Sequence, residues 1–207
     1  MSTNTAFWDW IANRYSRQAV GDETSYRKKL RDSQQYFDTK SRVLEFGCGT
    51  GSTAIHHAPA VGHIHATDIS SQMLAIAQAK ARDAALTNIS FEQTSLPELN
   101  SPNESWDAVL AMSILHLVED KEAEIARVYE LLKPGGVFIS STICIGDGGV
   151  GFKLLAPIFK WIPLLPAIGV FSQQQLISTM EFAGFTIEHT WQPGNDKAVF
   201  IVARKPE

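Results

Sequence analysis

The chain has 207 residues, with 18 Lys and Arg against 22 Asp and Glu and a formal net charge of −4. This length is typical of a single domain, residues 1–207, whose core is large enough to fold without disulfide or metal staples. The slightly acidic balance gives no overall attraction to nucleic acid or to anionic lipid, so no nucleic-acid partner is predicted.

Strand-like and helix-like segments alternate along most of the chain. The aromatic N-terminal segment is followed by predicted strands at RVLEFG, HIHATD, ISFEQTS, WDAVLAMS and VFISSTI, most of them separated by amphipathic helices. Ser70 or Ser71, Asp120 and Ser172 are the predicted N-caps of three helices. The basic run YRKKLRD near the N-terminus predicts a solvated helix face, with attraction of a substrate as the alternative.

The last two predicted strands, FTIEHTWQ and AVFIVARK, are joined by the short turn PGND and must therefore be antiparallel. The alternation of strands and helices before them requires parallel strands with helices on both faces. The predicted fold is α/β, a Rossmann-like seven-stranded mixed sheet whose last strand is antiparallel.

The two cysteines, Cys48 and Cys144, fall in a predicted loop and a predicted buried strand, which is no disulfide framework. The start MSTNTAFWDW lacks the basic and apolar regions of a signal peptide. We therefore expect a cytoplasmic protein.

The first strand runs into a glycine-rich turn, VLEFGCGTG, at the position where open parallel sheets bind ligands. No lysine follows the turn, so a nucleoside triphosphate loop is excluded, and the glycine spacing departs from that of a dinucleotide site. Glu45 would repel a phosphate, whereas Asp68, at the end of the second strand, can accept hydrogen bonds from two ribose hydroxyls. The two acids favour a cationic ligand that contains ribose.

The segments VLEFGCGTG, ATDIS, SWDAVLAMSILHLVED and LLKPGGVFISS, in this order, resemble the motifs of class I S-adenosylmethionine-dependent methyltransferases, in the group that includes ubiquinone-biosynthesis-type enzymes. The resemblance implies an enzyme that uses S-adenosyl-L-methionine, releases S-adenosyl-L-homocysteine and transfers methyl by in-line displacement without a metal. It also implies a cofactor-binding core at residues 43–141, preceded by a helical cap at 1–40 and followed by a closing helix and hairpin at 172–207.

The resemblance implies a set of site residues. Those expected to bind the cofactor are Tyr15, Glu45, Gly47, Cys48, Gly49, Asp68, Ile69, Met73, Thr94, Ser95, Leu96 and Met112. Core packing is the alternative for the two methionines, and Gly51 is expected to serve helix packing. Gln93 and its successors stand where related enzymes often carry an aspartate, so a hydroxyl or backbone group would bind the adenine. His116 is the candidate general base, with a structural role as the alternative.

Aromatic residues near the N-terminus complete the implied site. Tyr15 resembles an aromatic residue of related enzymes whose N-terminal segment folds over the cofactor, and Tyr26 is expected to face the site in the same way. The apolar side of this cap would consist of Trp8, Trp10 and Ile11, with a terminal helix packed on the domain as the alternative. His63 and His65 share a strand face without nearby cysteine or carboxylate partners, so no metal is predicted.

The apolar segment at residues 146–171 follows the fifth strand. Prolines and lysines argue against a membrane-spanning helix, and we expect a lid over an apolar substrate pocket. The pocket residues would be Phe152, Leu155, Phe159 and Trp161. The lid predicts a small apolar or aromatic acceptor, such as a quinol, phenol or lipid. Peripheral membrane contact through residues 150–171 and a homodimer interface are the alternatives for this surface.

Two other functions stay open at this point. A dinucleotide-dependent oxidoreductase using NAD would share the fold, and a protein that binds S-adenosylmethionine without its own catalysis would share the cofactor site.

Overall fold

The computed structural model describes residues 3–18, 20–147, 168–194 and 197–207. The predicted pocket residues Phe152, Leu155, Phe159 and Trp161 lie outside this described part, as does most of the predicted lid. The helices are α1 (Thr3–Ser16), α2 (Glu23–Gln34), α3 (Ser52–His57), α4 (Ser71–Asp83), α5 (Lys121–Leu131) and α6 (Gln173–Phe182). The strands are β1 (Arg42–Phe46), β2 (His63–Asp68), β3 (Ile89–Gln93), β4 (Trp106–Met112), β5 (Leu132–Thr142), β6 (Thr186–Trp191) and β7 (Val199–Arg204).

The strands form one seven-stranded sheet in the order β3-β2-β1-β4-β5-β7-β6. β1 to β5 pair in parallel, and β7 is antiparallel to both of its neighbours, β5 and β6. The predicted fold class and the antiparallel last strand are thus confirmed. The fifth strand is longer than predicted, because α5 ends at Leu131 and Leu132 already has an extended backbone, with φ −74° and ψ 140°.

Two apolar cores cover the two faces of the sheet. Val109 on β4 belongs to the core shared with α5 and α6, and its neighbour Leu110 belongs to the core shared with α3 and α4. Both side chains are fully buried. Because successive strand residues point to opposite faces, this alternation confirms the prediction of helices on both sides.

The helix caps agree with the sequence pattern. The Ser70 hydroxyl accepts a hydrogen bond from the Met73 N–H at 3.1 Å, and Asp120 accepts one from the Ala123 N–H at 2.9 Å. Ser172 caps α6 in a reciprocal capping box with Gln175. Each cap satisfies a backbone N–H that the first helical turn leaves unpaired.

The N-terminal helix α1 packs against the start of α4. One carboxylate oxygen of Asp9 accepts hydrogen bonds from the Ser70 hydroxyl at 2.6 Å and from the Gln72 N–H at 3.1 Å. Trp10 is 76% exposed, so its predicted place on the apolar side of the cap is wrong. The buried side of α1 includes Ala12, which is 0% exposed, and Trp10 lies on the opposite side of the helix. Within the described residues, no helix is long and apolar enough to cross a membrane.

Candidate cofactor and active site

The turn between β1 and α3 is built from glycines in the left-handed region. Gly47, Gly49 and Gly51 have φ of 63°, 53° and 73°, which other residues adopt only with strain. A Cβ on Gly51 would lie 2.7 Å from the Cβ of Ala77, which confirms that Gly51 serves helix packing. A Cβ on Gly49 would meet nothing closer than Tyr15, at 3.9 Å, so the backbone there leaves space for a ligand.

Asp68 links this turn to the start of α4. One of its carboxylate oxygens accepts a hydrogen bond from the Gly49 N–H at 2.8 Å, and the other accepts one from the Ser70 N–H at 2.9 Å. Burial raises the pKa of Asp68, and these two bonds oppose the rise. A carboxylate has about four acceptor positions, so each oxygen can accept a further bond from a ligand hydroxyl.

Glu45 is a buried acid, and no cation among the described residues offsets its charge. Its side chain is 2% exposed, and its Oε2 has no hydrogen-bond partner among the described residues. Burial, with a smaller contribution from Asp68, raises its pKa to about 8. A group of this kind is expected where a positively charged ligand supplies the missing partner.

A cavity of about 1410 Å³ opens at the carboxyl ends of β1, β2, β4 and β5. It brings together all the predicted cofactor residues and the candidate base, which are Tyr15, Glu45, Gly47, Cys48, Gly49, Asp68, Ile69, Met73, Thr94, Ser95, Leu96, Met112 and His116. Their shared position is where an open α/β sheet binds its ligand. The role of each residue in binding stays a prediction.

The loop after β3 holds its own polar groups in place. The Gln93 side chain donates to the Ile69 carbonyl at 3.0 Å, and the Ser95 hydroxyl donates to Glu98 at 2.7 Å. The Thr94 hydroxyl donates to the Ser95 carbonyl at 3.2 Å. The two hydroxyl oxygens therefore keep acceptor capacity toward the cavity, as expected for a site that lacks the aspartate.

The end of β4 turns sharply toward the cavity. Ser113 has a left-handed φ of 62°, and its N–H donates to the Ser141 carbonyl at 2.7 Å. His116 follows, and its Nδ1 is buried without a hydrogen-bond partner among the described residues. Burial lowers the pKa of His116, which keeps the imidazole neutral at pH 7 and able to accept a proton.

The basic run on α2 contributes residues that charge patterning alone misses. Lys29 lines the cavity and donates to the Ser141 hydroxyl at 2.8 Å, so the predicted solvated face is wrong at this position. The prediction does hold for Arg27, which is exposed and pairs with Glu23. Tyr26 also lines the cavity, and Leu30 is buried. These two residues are four apart and therefore share a helix face, so their spacing was the sequence signal that this face of α2 turns inward.

Glu124, in the first turn of α5, is a second cavity residue that the sequence did not indicate. Its Oε2 is buried without a hydrogen-bond partner among the described residues. Burial, with Asp120 nearby, raises its pKa to about 7.

The histidines of β2 form a separate cluster. His63 and His65 each lie 2.8 Å from the Ser90 hydroxyl, and His65 is also 3.0 Å from a carboxylate oxygen of Glu92. The expectation that these histidines lack a carboxylate partner is therefore wrong. In the part of the chain that the structure describes, no three His, Cys, Asp or Glu side chains are placed to hold a metal ion.

The sheet order and the position of the cavity define the Rossmann-like fold of methyltransferases. The S-adenosylmethionine dependent methyltransferase from Mesorhizobium loti superimposes with a TM-score of 0.72 over 88% of this chain and 99% of that one, at 22% sequence identity. Residues 43–136 match the family model for a methyltransferase domain. The matched segment is a little under half of the chain, and together with the shared fold it supports the class I S-adenosylmethionine-dependent methyltransferase superfamily that the motifs predict.

Two relatives illustrate the similarity. The ubiquinone biosynthesis O-methyltransferase of Cereibacter sphaeroides (strain ATCC 17025 / ATH 2.4.3) is 28% identical over 124 residues, which are 59% of this chain and 50% of that protein. The ubiquinone/menaquinone biosynthesis C-methyltransferase of Vibrio vulnificus (strain YJ016) is 32% identical over 99 residues, which are 46% of this chain and 38% of that protein. The chain thus spans half or less of the length of these relatives.

Proposed function

We propose that the chain is an S-adenosylmethionine-dependent methyltransferase that acts on a small apolar or aromatic acceptor, such as a quinol, phenol or lipid-like molecule. The observation that carries the proposal is the cavity in which Glu45, a buried acid whose Oε2 has no hydrogen-bond partner among the described residues, lies beside the glycine turn. The names of the two relatives refer to ubiquinone and menaquinone biosynthesis, which supports an aromatic acceptor.

The residues present fit this cofactor. Glu45 would pair with the ammonium group of the methionine part, and this pairing would relieve the cost of burying the carboxylate. Asp68 would accept hydrogen bonds from the ribose hydroxyls, and the open space above Gly49 leaves room for the cofactor. When bound, the cofactor supplies an electrophilic methyl group on a positively charged sulfur.

The chain's own residues would position the acceptor and receive its proton. Met112 ends β4 on the cavity wall, where its side chain would hold the reacting groups in line. His116 lines the cavity and would accept the proton of an acceptor hydroxyl at Nε2 as the hydroxyl attacks, because its Nδ1 is buried out of reach of a ligand. Tyr15 would cover the cofactor from α1, and the predicted lid at residues 146–171, with Phe152, Leu155, Phe159 and Trp161, would close over the acceptor and exclude water.

Ligand binding separates this function from its nearest rival. S-adenosylhomocysteine at saturating concentration is expected to raise the Tm by roughly 5 °C or more, and NAD is expected to have no effect. Stabilisation by NAD alone would overturn the proposal in favour of an oxidoreductase. Binding of S-adenosylhomocysteine without transfer to any member of a phenol, quinol and phospholipid panel would favour a binding protein without catalysis.

The base assignment is tested by His116→Ala. With a phenolic acceptor, we expect transfer to slow by about 100-fold, because general-base catalysis typically contributes that much. Since burial lowers the pKa of His116, the acid limb of kcat/KM in the parent should fall below the ordinary value of 6.5. His56→Ala, on the exposed side of α3, is the matched control. A loss within about threefold would rule out the base role.

The same proposal assigns the protein to the cytoplasm. Peripheral membrane contact and homodimerisation through residues 150–171 are the alternatives for the apolar segment. Cosedimentation with vesicles and measurement of the molar mass in solution distinguish them.

A further inference from the structure

Acidic and basic side chains both line the cavity. Glu45 and Asp68 line it at the ends of β1 and β2, where the cofactor is proposed to bind. Lys29 lines it on the side of β5, and Lys197 contributes a second cation to the same lining. Lys80 also lines the cavity, where it donates to Thr50 of the glycine turn. A lysine in the lining can attract a negatively charged ligand into the cavity.

Lys29 lies close to the position where transfer would occur. Its Nζ is 2.8 Å from the hydroxyl of Ser141, which is itself only 3% exposed. Ser141 is the direct partner of Met112 in the β4–β5 pairing. Neighbouring strands are about 4.8 Å apart, so Lys29 is anchored one strand away from the residue proposed to hold the reacting groups.

The ammonium of Lys29 forms no ion pair with any carboxylate of the described residues. Asp22 is the acid that acts on it through space, and that carboxylate already accepts a hydrogen bond from the Ser25 N–H at 3.0 Å as the N-cap of α2. The Ser141 hydroxyl offers a hydrogen bond but no charge. Burial lowers the pKa of Lys29, in keeping with a cation that lacks a full partner.

We propose that Lys29 binds an anionic oxygen of the methyl acceptor, a carboxylate or a phenolate, and thereby selects acceptors that carry this group on an apolar body. This inference rests on the proposed methyltransferase function and narrows its substrate class. An anion would supply the negative charge that no ion pair with the described residues supplies to Lys29. The N–H groups of Nζ that are not used in the bond to Ser141 can donate to this anion. The carboxylate of the cofactor is the competing source of the same chemistry.

The test uses matched pairs of small probes, namely acetate, benzoate and 4-hydroxybenzoate with the corresponding amides. Calorimetry is run on the full chain, with and without S-adenosylhomocysteine. We expect at least one carboxylate to bind at least about tenfold more tightly than its amide, because a hydrogen bond to a charged group is worth that much. Lys29→Met should abolish the preference, and Lys29→Arg should retain it.

Lys28→Met is the control, since Lys28 is on the same helix but pairs with Asp32 and stacks over Trp191. The control should keep both the carboxylate preference and the affinity for S-adenosylhomocysteine. The proposal is overturned if no carboxylate is preferred by the parent, or if the preference survives Lys29→Met. A tenfold loss of S-adenosylhomocysteine affinity in Lys29→Met also overturns it, because Lys29 would then bind the cofactor. Failure of the parent to bind S-adenosylhomocysteine would instead count against the proposed function.

Discussion

Glu45→Gln is expected to stabilise the ligand-free protein at pH 8.5 and to weaken its affinity for S-adenosylhomocysteine by about 10- to 100-fold. The two effects have one origin. The carboxyl group is 2% exposed, and its Oε2 has no partner among the described residues, so the ionised form is costly until a cation binds. Glutamine keeps the shape of the side chain and removes both the cost and the charge that a ligand ammonium would need.

The pH dependence of this stabilisation follows from the pKa of Glu45. Folding raises the pKa from an ordinary 4.5 to about 8, so the folded state binds this proton more tightly than the unfolded state. The contribution of protonated Glu45 to the free energy of unfolding is therefore fully present below about pH 4.5 and is lost as the pH rises to about 8. The full loss is on the order of 5 kcal/mol. Urea unfolding at pH 5 and pH 8.5 should show a small gain for Glu45→Gln at the lower pH and a large gain at the higher.

Cofactor binding should reverse the pKa shift. A bound ammonium favours the ionised carboxylate, so the parent is expected to release a proton on binding S-adenosylhomocysteine at pH 7. Calorimetry in buffers of different ionisation enthalpy measures this release. It should be absent in Glu45→Gln.

Glu124→Gln is the matched control for this prediction. Glu124 also has a buried Oε2 without a partner among the described residues, and its pKa is raised to about 7, but it lies on α5. We expect this variant to share the gain in stability at high pH and to keep its affinity for S-adenosylhomocysteine. Equal losses of affinity in the two variants, or none in Glu45→Gln, would contradict the assigned role of Glu45.

Asp68→Asn is expected to reduce the affinity for S-adenosylhomocysteine by about 100-fold and to destabilise the protein by about 1–2 kcal/mol. Each carboxylate oxygen of Asp68 accepts a backbone N–H, from Gly49 and from Ser70. An amide has a single oxygen, so its NH2 group would face one of these donors. The variant would thus loosen the glycine turn and lose an acceptor for the ribose.

Adenosine and 2′-deoxyadenosine isolate the ribose contact. The parent should prefer adenosine, and Asp68→Asn should lose this preference. Asp38→Asn is the control, because Asp38 also accepts a backbone N–H, from Lys40 at 2.8 Å, but is exposed and outside the cavity lining. A preference for adenosine that persists in Asp68→Asn would remove this residue from the ribose site.

Local patterns of the sequence were sufficient to predict the sheet and the shared position of the residues proposed to bind the cofactor. The caps at Ser70, Asp120 and Ser172 each depend on a side chain and a backbone N–H within three residues, so a short segment carries the whole signal. Glu45 and Asp68 could be predicted for a related reason. Parallel strands end at one edge of the sheet, and residues at those ends are brought together by the fold class itself.

The position of Lys29, which is proposed to bind the acceptor, depended on contacts that no local pattern encodes. Lys29 and Ser141 are 112 residues apart, and their hydrogen bond exists because α2 packs with one face toward the end of β5. A count of the four basic residues in YRKKLRD does not indicate which face of the helix turns inward. Burial of Leu30 orients the helix, and that orientation carries Lys29 into the cavity while Arg27 stays exposed.

The sequence by itself therefore determined the order of the strands and helices, the glycine turn and the two acids that favour a cationic nucleoside. Only the tertiary structure decided that the Oε2 of Glu45 has no hydrogen-bond partner among the described residues, and that Lys29 and Glu124 line the same cavity. The physical reason is that periodicity and capping act over a few residues, whereas the charge state of a buried group depends on everything packed around it.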